Sequence, residues 1–282
     1  MLVFPNCKIN LGLQVRHKRI DGYHELATVF YPLPLCDALE IIRTPQSGAR
    51  ELAFSASGIP IPGNTNNNLC IKAYALLKKR YPELPPIQMH LHKVIPMGAG
   101  LGGGSSDGAF ALQLLAKLFA LNCSNETLEK LALELGSDCP FFLLNQPCYA
   151  SGRGEILEPL AVDLSAYDWL LVHPGIHVAT GLAFAALNRT QEPPTGLPDL
   201  RTIIELPIQQ WKEELINDFE APVCTTHPEI GAVINQLYAA GALYAAMSGS
   251  GSAVFGLFTA GTLPHIQLPQ HYTVVHIPST QQ

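Results

Sequence analysis

Pro96-Met97-Gly98-Ala99-Gly100-Leu101-Gly102-Gly103-Gly104-Ser105-Ser106-Asp107 is the stretch from which the rest of this chain is read. Its glycines let the backbone approach a ligand closely and turn through positive φ. The helix formers of Ala109-Phe110-Ala111-Leu112-Gln113-Leu114-Leu115-Ala116-Lys117-Leu118 follow, so a helix is expected from near Ser105. Its first turn would offer unpaired N–H groups and the positive end of the helix dipole. Ser105 and Ser106 add hydroxyls that can donate to an oxyanion or touch a metal. The stretch predicts a cradle for phosphate, and by itself it does not say which reaction.

Spacing separates three phosphate-loop patterns. Gly98-x-Gly100-x-x-Gly103 fits a dinucleotide fingerprint, which needs a strand leading directly into it and an acid about 20 residues on, at the end of the next strand. Here Pro96 intervenes after the alternating segment Ile87-Gln88-Met89-His90-Leu91-His92, and Glu126 and Glu129 fall in another helical stretch. Gly98-x-x-x-x-Gly103 also opens like a Walker loop, but Gly104-Ser105 stands where Lys-Ser/Thr should follow. A loop without its own lysine must draw positive charge from elsewhere in the chain.

With 282 residues, 48% hydrophobic and 14% charged, the chain can bury a large core, and its length suits two domains. A net charge of −6 gives no broad basic surface, which argues against nucleic acid as a partner. No apolar run approaches a membrane span, and the opening residues lack the layout of a signal peptide, so a cytoplasmic protein without a membrane partner is expected. The seven cysteines are scattered, odd in number and never spaced Cys-x-x-Cys, and read as reduced thiols. The dispersed histidines show no zinc spacing, and no protein metal ligand is assigned.

Alternation at Cys7–Val15 and Ala38–Ile42 predicts strands, and Leu69–Lys79 predicts a helix. Thr127–Leu135 reads as a helix stopped by Gly136, with Ser137-Asp138-Cys139-Pro140 as the following loop. Gly152–Pro159 closes this first, mixed α+β part. Further on come a strand at Trp169–Val172, helices at Thr180–Leu187 and Pro228–Ala239, and strands at Ser252–Phe258 and Tyr272–Ile277.

Phosphoryl transfer needs charge stabilisation, a positioned acceptor hydroxyl and a group to take its proton. Lys8 lies in an otherwise apolar strand, where a cation is costly unless it snorkels outward or meets an anion. Asp138 sits just past a helix end, where an exposed loop acid is the ordinary reading. Ser248-Gly249-Ser250-Gly251-Ser252 does not satisfy Gly-x-Ser-x-Gly, so a nucleophilic serine is poorly supported.

Taken in order, Pro5-x-x-Lys8-Ile9-Asn10-Leu11, Asp21-Gly22-Tyr23-His24, the 96–107 loop and Gly136-Ser137-Asp138-Cys139-Pro140 resemble the GHMP kinase superfamily of galactokinase, homoserine kinase, mevalonate kinase and phosphomevalonate kinase. His173-Pro174-Gly175 with Thr180 and Phe184, Asn217-Asp218-Phe219-Glu220 and Ser248–Ser252 extend the resemblance over nearly the whole chain. The ordered set is similar to the branch of that family that phosphorylates a cytidine-diphosphate-linked polyol. The resemblance implies an α+β, two-domain fold. Residues 1–163 would be an ATP-binding domain like ribosomal protein S5, with its phosphate loop at 96–107. Residues 164–282 would be a ferredoxin-like α/β sandwich that binds substrate.

The same resemblance implies transfer of the γ-phosphoryl of ATP to a tertiary hydroxyl of that polyol, a step of non-mevalonate isoprenoid synthesis. Asp138 would accept the proton and Lys8 would hold its carboxylate and stabilise developing charge. Pro96, Met97, Gly98, Ala99, Gly100, Leu101, Gly102, Gly103, Gly104, Ser105 and Ser106, together with Asn68 and Lys93, would hold ATP, which normally brings Mg²⁺. The plain alternatives are a helix N-cap for Asn68, a solvated strand end for Lys93 and core filling for Met97. Tyr23 and Phe184 would enclose the cytosine while His24 bonds its edge, and Asn10 and Thr180 would reach other polar groups of the substrate. Ser248–Ser252 would be a second glycine-rich loop. Asp107 departs from the pattern that the resemblance implies, in which this place is usually held by a neutral residue such as Asn or Ala. It is expected to face outward and to complement the helix dipole by roughly 0.3–1 kcal/mol, the inward alternative being a water-mediated contact to Mg²⁺. A kinase of the same superfamily acting on another alcohol, a nicotinamide oxidoreductase and a catalytically silent nucleotide-binding protein are the competing readings. A monomer and a homodimer are equally open.

Overall fold

The computed structural model describes residues 1–44, 51–187, 196–262, 264 and 266–280. Elements follow in the order β1 (Leu2–Val3), β2 (Asn6–Lys18), β3 (His24–Cys36), β4 (Ala38–Arg43), β5 (Leu52–Gly58), α1 (Leu69–Arg80), β6 (Ile87–Lys93), α2 (Gly103–Leu118), α3 (Asn125–Leu135), α4 (Cys139–Leu144), β7 (Cys148–Gly152), β8 (Ile156–Pro159), β9 (Tyr167–His173), α5 (Thr180–Ala186), α6 (Leu200–Ile203), α7 (Trp211–Glu214), α8 (Glu220–Thr226), α9 (Pro228–Ala239), β10 (Tyr244–Met247), β11 (Val254–Thr259) and β12 (Thr273–Ile277). Contacts group them into two compact units. The first holds Met1–Lys8, Pro32–Met97 and Gly102–Asn145, and the second holds Ile9–Tyr31, Gly98–Leu101 and Gln146–Gln282.

In the first unit the sheet runs β1-β4-β6-β5, with β5 parallel to β6 and the other pairs antiparallel. Period-two alternation along β6 buries Ile87, Met89 and Leu91 while Gln88 and His92 face outward. Local capping sets the helices. The Asn68 side chain accepts from the Cys70 N–H at the start of α1, and the Ser124 hydroxyl accepts from the Thr127 N–H at the start of α3. Gly136 closes α3 as expected from the sequence.

The second unit contains the antiparallel sheet β10-β11-β9-β12 and the sheet β2-β3-β7-β8, except for residues 6–8 of β2 and 32–36 of β3, which belong to the first unit. Ile230, Val233, Ile234 and Leu237, one stripe of α9, pack into a core with Val172, Val254, Met247, Leu13 and Val15. The hairpin joining β2 to β3 closes where the Arg19 N–H donates to the Tyr23 oxygen at 2.7 Å. Among the described residues, no helix is long and apolar enough to cross a membrane.

The structure departs from the sequence-based boundaries in two places that matter for the site. Helix α2 starts at Gly103 rather than near Ser105, because Gly102 takes the left-handed N-cap conformation and its oxygen accepts the Ser106 N–H at 2.9 Å. The segment after Gly136 is shorter than a four-residue loop. The apolar run from Cys139 is α4, with Asp138 at its N-cap and Pro140 in its first turn, where a missing N–H costs nothing.

Candidate active site

Lys8 lies in β2 and is 4% exposed, and its ammonium stands 3.5 Å from Asp138 Oδ2. Burial pulls the Lys8 ammonium below the ordinary lysine value, and Asp138 opposes that pull. Although Asp138 is the N-cap of α4, its side chain makes no capping bond, so the carboxylate is directed to Lys8 rather than spent on helix N–H groups. A Cβ placed on Gly102 would come 3.1 Å from Lys8 Cγ and 2.9 Å from Phe142 Cζ. The stem of Lys8 therefore runs against the glycine that opens α2, which brings the lysine and the aspartate to the phosphate-loop helix within one unit.

Lys93, at the end of β6, is buried rather than a solvated strand end. Its ammonium bonds Asp37 Oδ2 and, at 2.7 Å, Asp107 Oδ2. Asp37 is fixed in turn, since its Oδ1 accepts from the backbone N–H groups of Val94 at 2.6 Å and Ile95 at 2.9 Å. Burial lowers the Lys93 ammonium, but the two carboxylates outweigh it and its pKa ends above the ordinary lysine value. The outward orientation expected for Asp107 is overturned. Asp107 is 3% exposed and points to Lys93, because it falls on the buried stripe of α2 with Gly103, Ala111 and Leu114. Burial pushes its carboxyl up to about 8 against the pull of Lys93. Asn68, Lys93, Met97, Gly104 and Asp107 line one hollow of about 140 Å³. Asn68 is thus both the N-cap of α1 and a wall of that hollow.

Two buried atoms at the start of α2, Ser106 Oγ and Asp107 Oδ1, have no protein hydrogen-bond partner. Such atoms are costly unless a ligand or water completes them. Among the described residues, no group of three or more His, Cys, Asp or Glu is placed to hold a metal ion.

In the second unit the loop residues Gly98–Leu101 meet the loop between β10 and β11. The Ser248 hydroxyl donates to the Gly100 oxygen at 2.9 Å, and the Ala253 N–H donates to the Ala99 oxygen at 3.0 Å. Asn10 is buried; its amide donates to the Thr28 hydroxyl at 2.9 Å, and its backbone N–H donates to the Ser248 hydroxyl. Asn217 holds the same loop from below by donating to the oxygens of Met247 and Gly249, both at 2.8 Å.

His24, the first residue of β3, lies nearly parallel to Phe184 of α5, with ring centroids 4.6 Å apart. Phe184 meets Phe219 edge-on at 4.8 Å. Tyr23 does not face Phe184; it is 53% exposed, and the Arg153 guanidinium lies 4.4 Å from its ring. Burial lowers the His24 imidazole, and Lys18 adds to the effect. The exposed hydroxyls of Thr180 and Ser250 are 3.0 Å apart.

Sequence reasoning missed Asp37, whose partner Lys93 is 56 residues away, and gave Asn217 no role. No local signal marks Asp37. For Asp107 a signal existed: Gly103, Asp107, Ala111 and Leu114 recur at helical spacing, and that stripe is otherwise apolar or small.

Residues 68–146 match the model of the GHMP kinases N terminal domain, and residues 208–267 match that of the GHMP kinases C terminal domain. A protein of Azobacteroides pseudotrichonymphae named 4-diphosphocytidyl-2-C-methyl-D-erythritol kinase is 49% identical over 92% of this chain and 93% of its own length. A protein of the same name from Bacteroides thetaiotaomicron is 49% identical over 94% of each chain. Among solved structures, a 4-(cytidine 5'-diphospho)-2C-methyl-D-erythritol kinase aligns with a TM-score of 0.77 and 36% identity, covering 93% of this chain and 90% of that one. The Methanococcus jannaschii mevalonate kinase, at a TM-score of 0.68 and 13% identity over 92% and 90%, shares the fold. The fold is the two-domain α+β fold of the GHMP kinases, and the chain belongs to the 4-diphosphocytidyl-2-C-methyl-D-erythritol kinase family.

Proposed function

We propose that this chain transfers the γ-phosphoryl group of ATP to the 2-hydroxyl of 4-diphosphocytidyl-2-C-methyl-D-erythritol, giving the 2-phosphate and ADP in the non-mevalonate isoprenoid pathway. The family supports the reaction, and the pairing of Lys8 with Asp138 against Gly102 is the observation that carries the mechanism. Asp138 takes the proton of the 2-hydroxyl as its oxygen bonds to the γ-phosphorus and the bond from that phosphorus to the β–γ bridging oxygen breaks. Lys8 keeps the carboxylate in place, and its charge opposes the negative charge that builds on the transferring group.

ATP is the co-substrate. The loop 96–106 cradles its phosphates, and Asn68, Lys93 and Met97 line the hollow in which we place its base. A magnesium ion would arrive with the phosphates and neutralise part of their charge, the phosphate oxygens and water supplying its ligands. His24, Phe184 and Tyr23 hold the cytosine end of the substrate, with Thr180 as a polar contact. Asn10 serves by bracing the Ser248 loop. We assign nucleotide binding to residues 1–163 and the larger part of substrate binding to residues 164–282, in a cytoplasmic enzyme.

The test is to incubate the purified chain with ATP, Mg²⁺ and the cytidine-diphosphate-linked polyol, and to identify products by mass and phosphorus NMR. The 2-phosphate with one ADP per turnover supports the proposal. Unchanged polyol, or phosphate placed on another hydroxyl, overturns it.

A further inference from the structure

The glycine-rich loop has no lysine of its own, and the buried lysines assigned to the site are each matched by acid. Lys8 is paired with Asp138, and Lys93 with both Asp37 and Asp107. A triphosphate is strongly anionic, and each further donor at the loop would add a charge-assisted hydrogen bond. Within the second unit, such a donor lies on the first glycine of the loop. A Cβ placed on Gly98 would come 2.9 Å from His177 Nδ1 and 3.3 Å from its Cε1, so the imidazole takes up the space that a glycine leaves open. Gly98 also has a φ of +64°, a conformation that disfavours any side chain there.

His177 stands in the segment between β9 and α5, and the chain on either side of it is held. The oxygen of Ile176, just before it, accepts the Ser252 hydroxyl, and Val178, just after it, is buried in the core of the unit. The imidazole itself is exposed, and among the described residues neither ring nitrogen bonds to a protein group. Packing against a glycine needs only an apolar surface, so the N–H of the ring is surplus to it. The same segment runs into α5 at Thr180, whose hydroxyl is 3.0 Å from that of Ser250, and Ser248 of that second loop donates to the Gly100 oxygen at 2.9 Å. Residues 98–101, 176–180 and 248–253 are therefore joined inside one unit, and His177 is the side chain of the middle segment that reaches Gly98.

We infer that His177 is a nucleotide-binding residue whose imidazole donates an N–H to a phosphoryl oxygen of ATP held at Gly98. This rests on the reading of the chain as a kinase whose loop 96–106 cradles the phosphates of ATP. The segment between β9 and α5 thereby supplies a donor that the loop lacks. A hydrogen bond to a charged phosphate oxygen is charge-assisted even from a neutral imidazole.

The test is calorimetric titration of the full-length chain, of His177→Met and of His177→Gln. The ligands are ATP with Mg²⁺, adenosine and the cytidine-diphosphate-linked polyol. Met keeps much of the bulk of the ring without its donor, and Gln restores an N–H. Because the ring is exposed, neither substitution disturbs the core. His177→Met should bind ATP at least about tenfold more weakly than the wild type, as expected for a lost hydrogen bond to a charged group. His177→Gln should recover most of that loss, and adenosine and the polyol should bind all three proteins alike. The inference is overturned if His177→Met binds ATP as the wild type does, or if adenosine is weakened as much as ATP, which is the mark of a purely structural role. It is overturned equally if the polyol is weakened in step with ATP or in its place, or if His177→Gln is as weak as His177→Met. A failure of the kinase reading would appear as a wild type that makes no polyol 2-phosphate, whereas a failure of this contact leaves the product intact and ATP affinity unchanged in the variants.

Discussion

A Cβ built on Gly100 would lie 1.9 Å from the backbone oxygen of Ser248, closer than any side-chain atom can approach. Gly100 also has a φ of +78°, so its backbone conformation and its contact both require glycine. The first glycine-rich loop and the Ser248–Ser252 loop are thereby locked together through main-chain atoms, with the Ser248 hydroxyl on the Gly100 oxygen as the polar tie.

Gly100→Ala should push the two loops apart, lowering the melting temperature and weakening ATP binding together. The strained conformation alone should cost about 1–3 kcal/mol. Gly104→Ala is the matched control, because nothing lies within 4 Å of a Cβ there and the residue is inside α2. Its melting temperature should hold or rise, alanine being favoured over glycine by about 1 kcal/mol in a helix. Thermal melts of both variants decide the matter; a Gly104→Ala melt as depressed as that of Gly100→Ala would count against it.

The Asp107 carboxyl has an opposite effect on stability. Its pKa rises from 3.8 to about 8 on folding, so the folded chain retains a proton there that the unfolded chain releases. That contribution is complete at acidic pH and is lost as pH climbs through about 8. Lys93, Asp37 and Cys70 are the charged or titratable groups around it. We expect Asp107→Asn to melt above the wild type near pH 9, by about 2–4 °C for each kcal/mol relieved. The gap should narrow steadily as pH falls below about 8 and close only near pH 4, the value of the unfolded chain. A variant that melts lower at every pH would show that the ionised acid stabilises the fold.

On the substrate side, Phe184→Ala removes the ring that stacks on His24 and meets Phe219. It should raise KM for the cytidine-linked substrate by about tenfold, the aromatic contact being worth roughly 0.5–1.5 kcal/mol beyond its buried area. KM for ATP should stay near the wild-type value. Tyr23→Ala should act in the same direction. Steady-state kinetics with each substrate varied in turn separates the two, and a change confined to ATP would contradict the assignment.

The pH profile offers a separate check on His24. Its imidazole sits below the ordinary value of 6.5, so it is neutral at pH 7 and gains a proton only in more acidic solution. KM for the cytidine-linked substrate should therefore be flat around neutrality and change on acidification. That change should be absent in a His24→Gln variant. A profile identical in both proteins would remove the imidazole from substrate binding.

How much of this was legible beforehand depended on whether the determining interaction was local. Strands β2, β4 and β6 and helices α1 and α9 follow from two-residue and 3.6-residue periodicities that any window of sequence displays. The glycine loop and its helix were equally readable, apart from two helical residues gained because Gly102 caps in the left-handed conformation. The Lys93 cluster was not readable as a cluster, since it joins residues 14 and 56 positions apart through tertiary folding. The stripe containing Asp107 was readable, but the weak pull of a helix dipole was weighed above it. Which of Tyr23 and His24 would face Phe184 depended on the start of β3, because neighbouring strand residues point to opposite faces. Strand β5 is an exposed edge with weak alternation, and β3 carries Pro32 and Pro34, features that hide a strand from pattern reading.

The most direct test of the mechanism is the single-turnover rate of phosphoryl transfer in Asp138→Asn and Lys8→Ala, measured beside the dissociation constant for ATP. Each rate should fall by about 10²–10⁴-fold, the range supplied by a positioned proton acceptor and its charged partner. The ATP dissociation constant should move little, because the carboxylate acts on the hydroxyl and not on the nucleotide. Wild-type turnover in either variant, with the polyol 2-phosphate still formed, would contradict the role given to the pair.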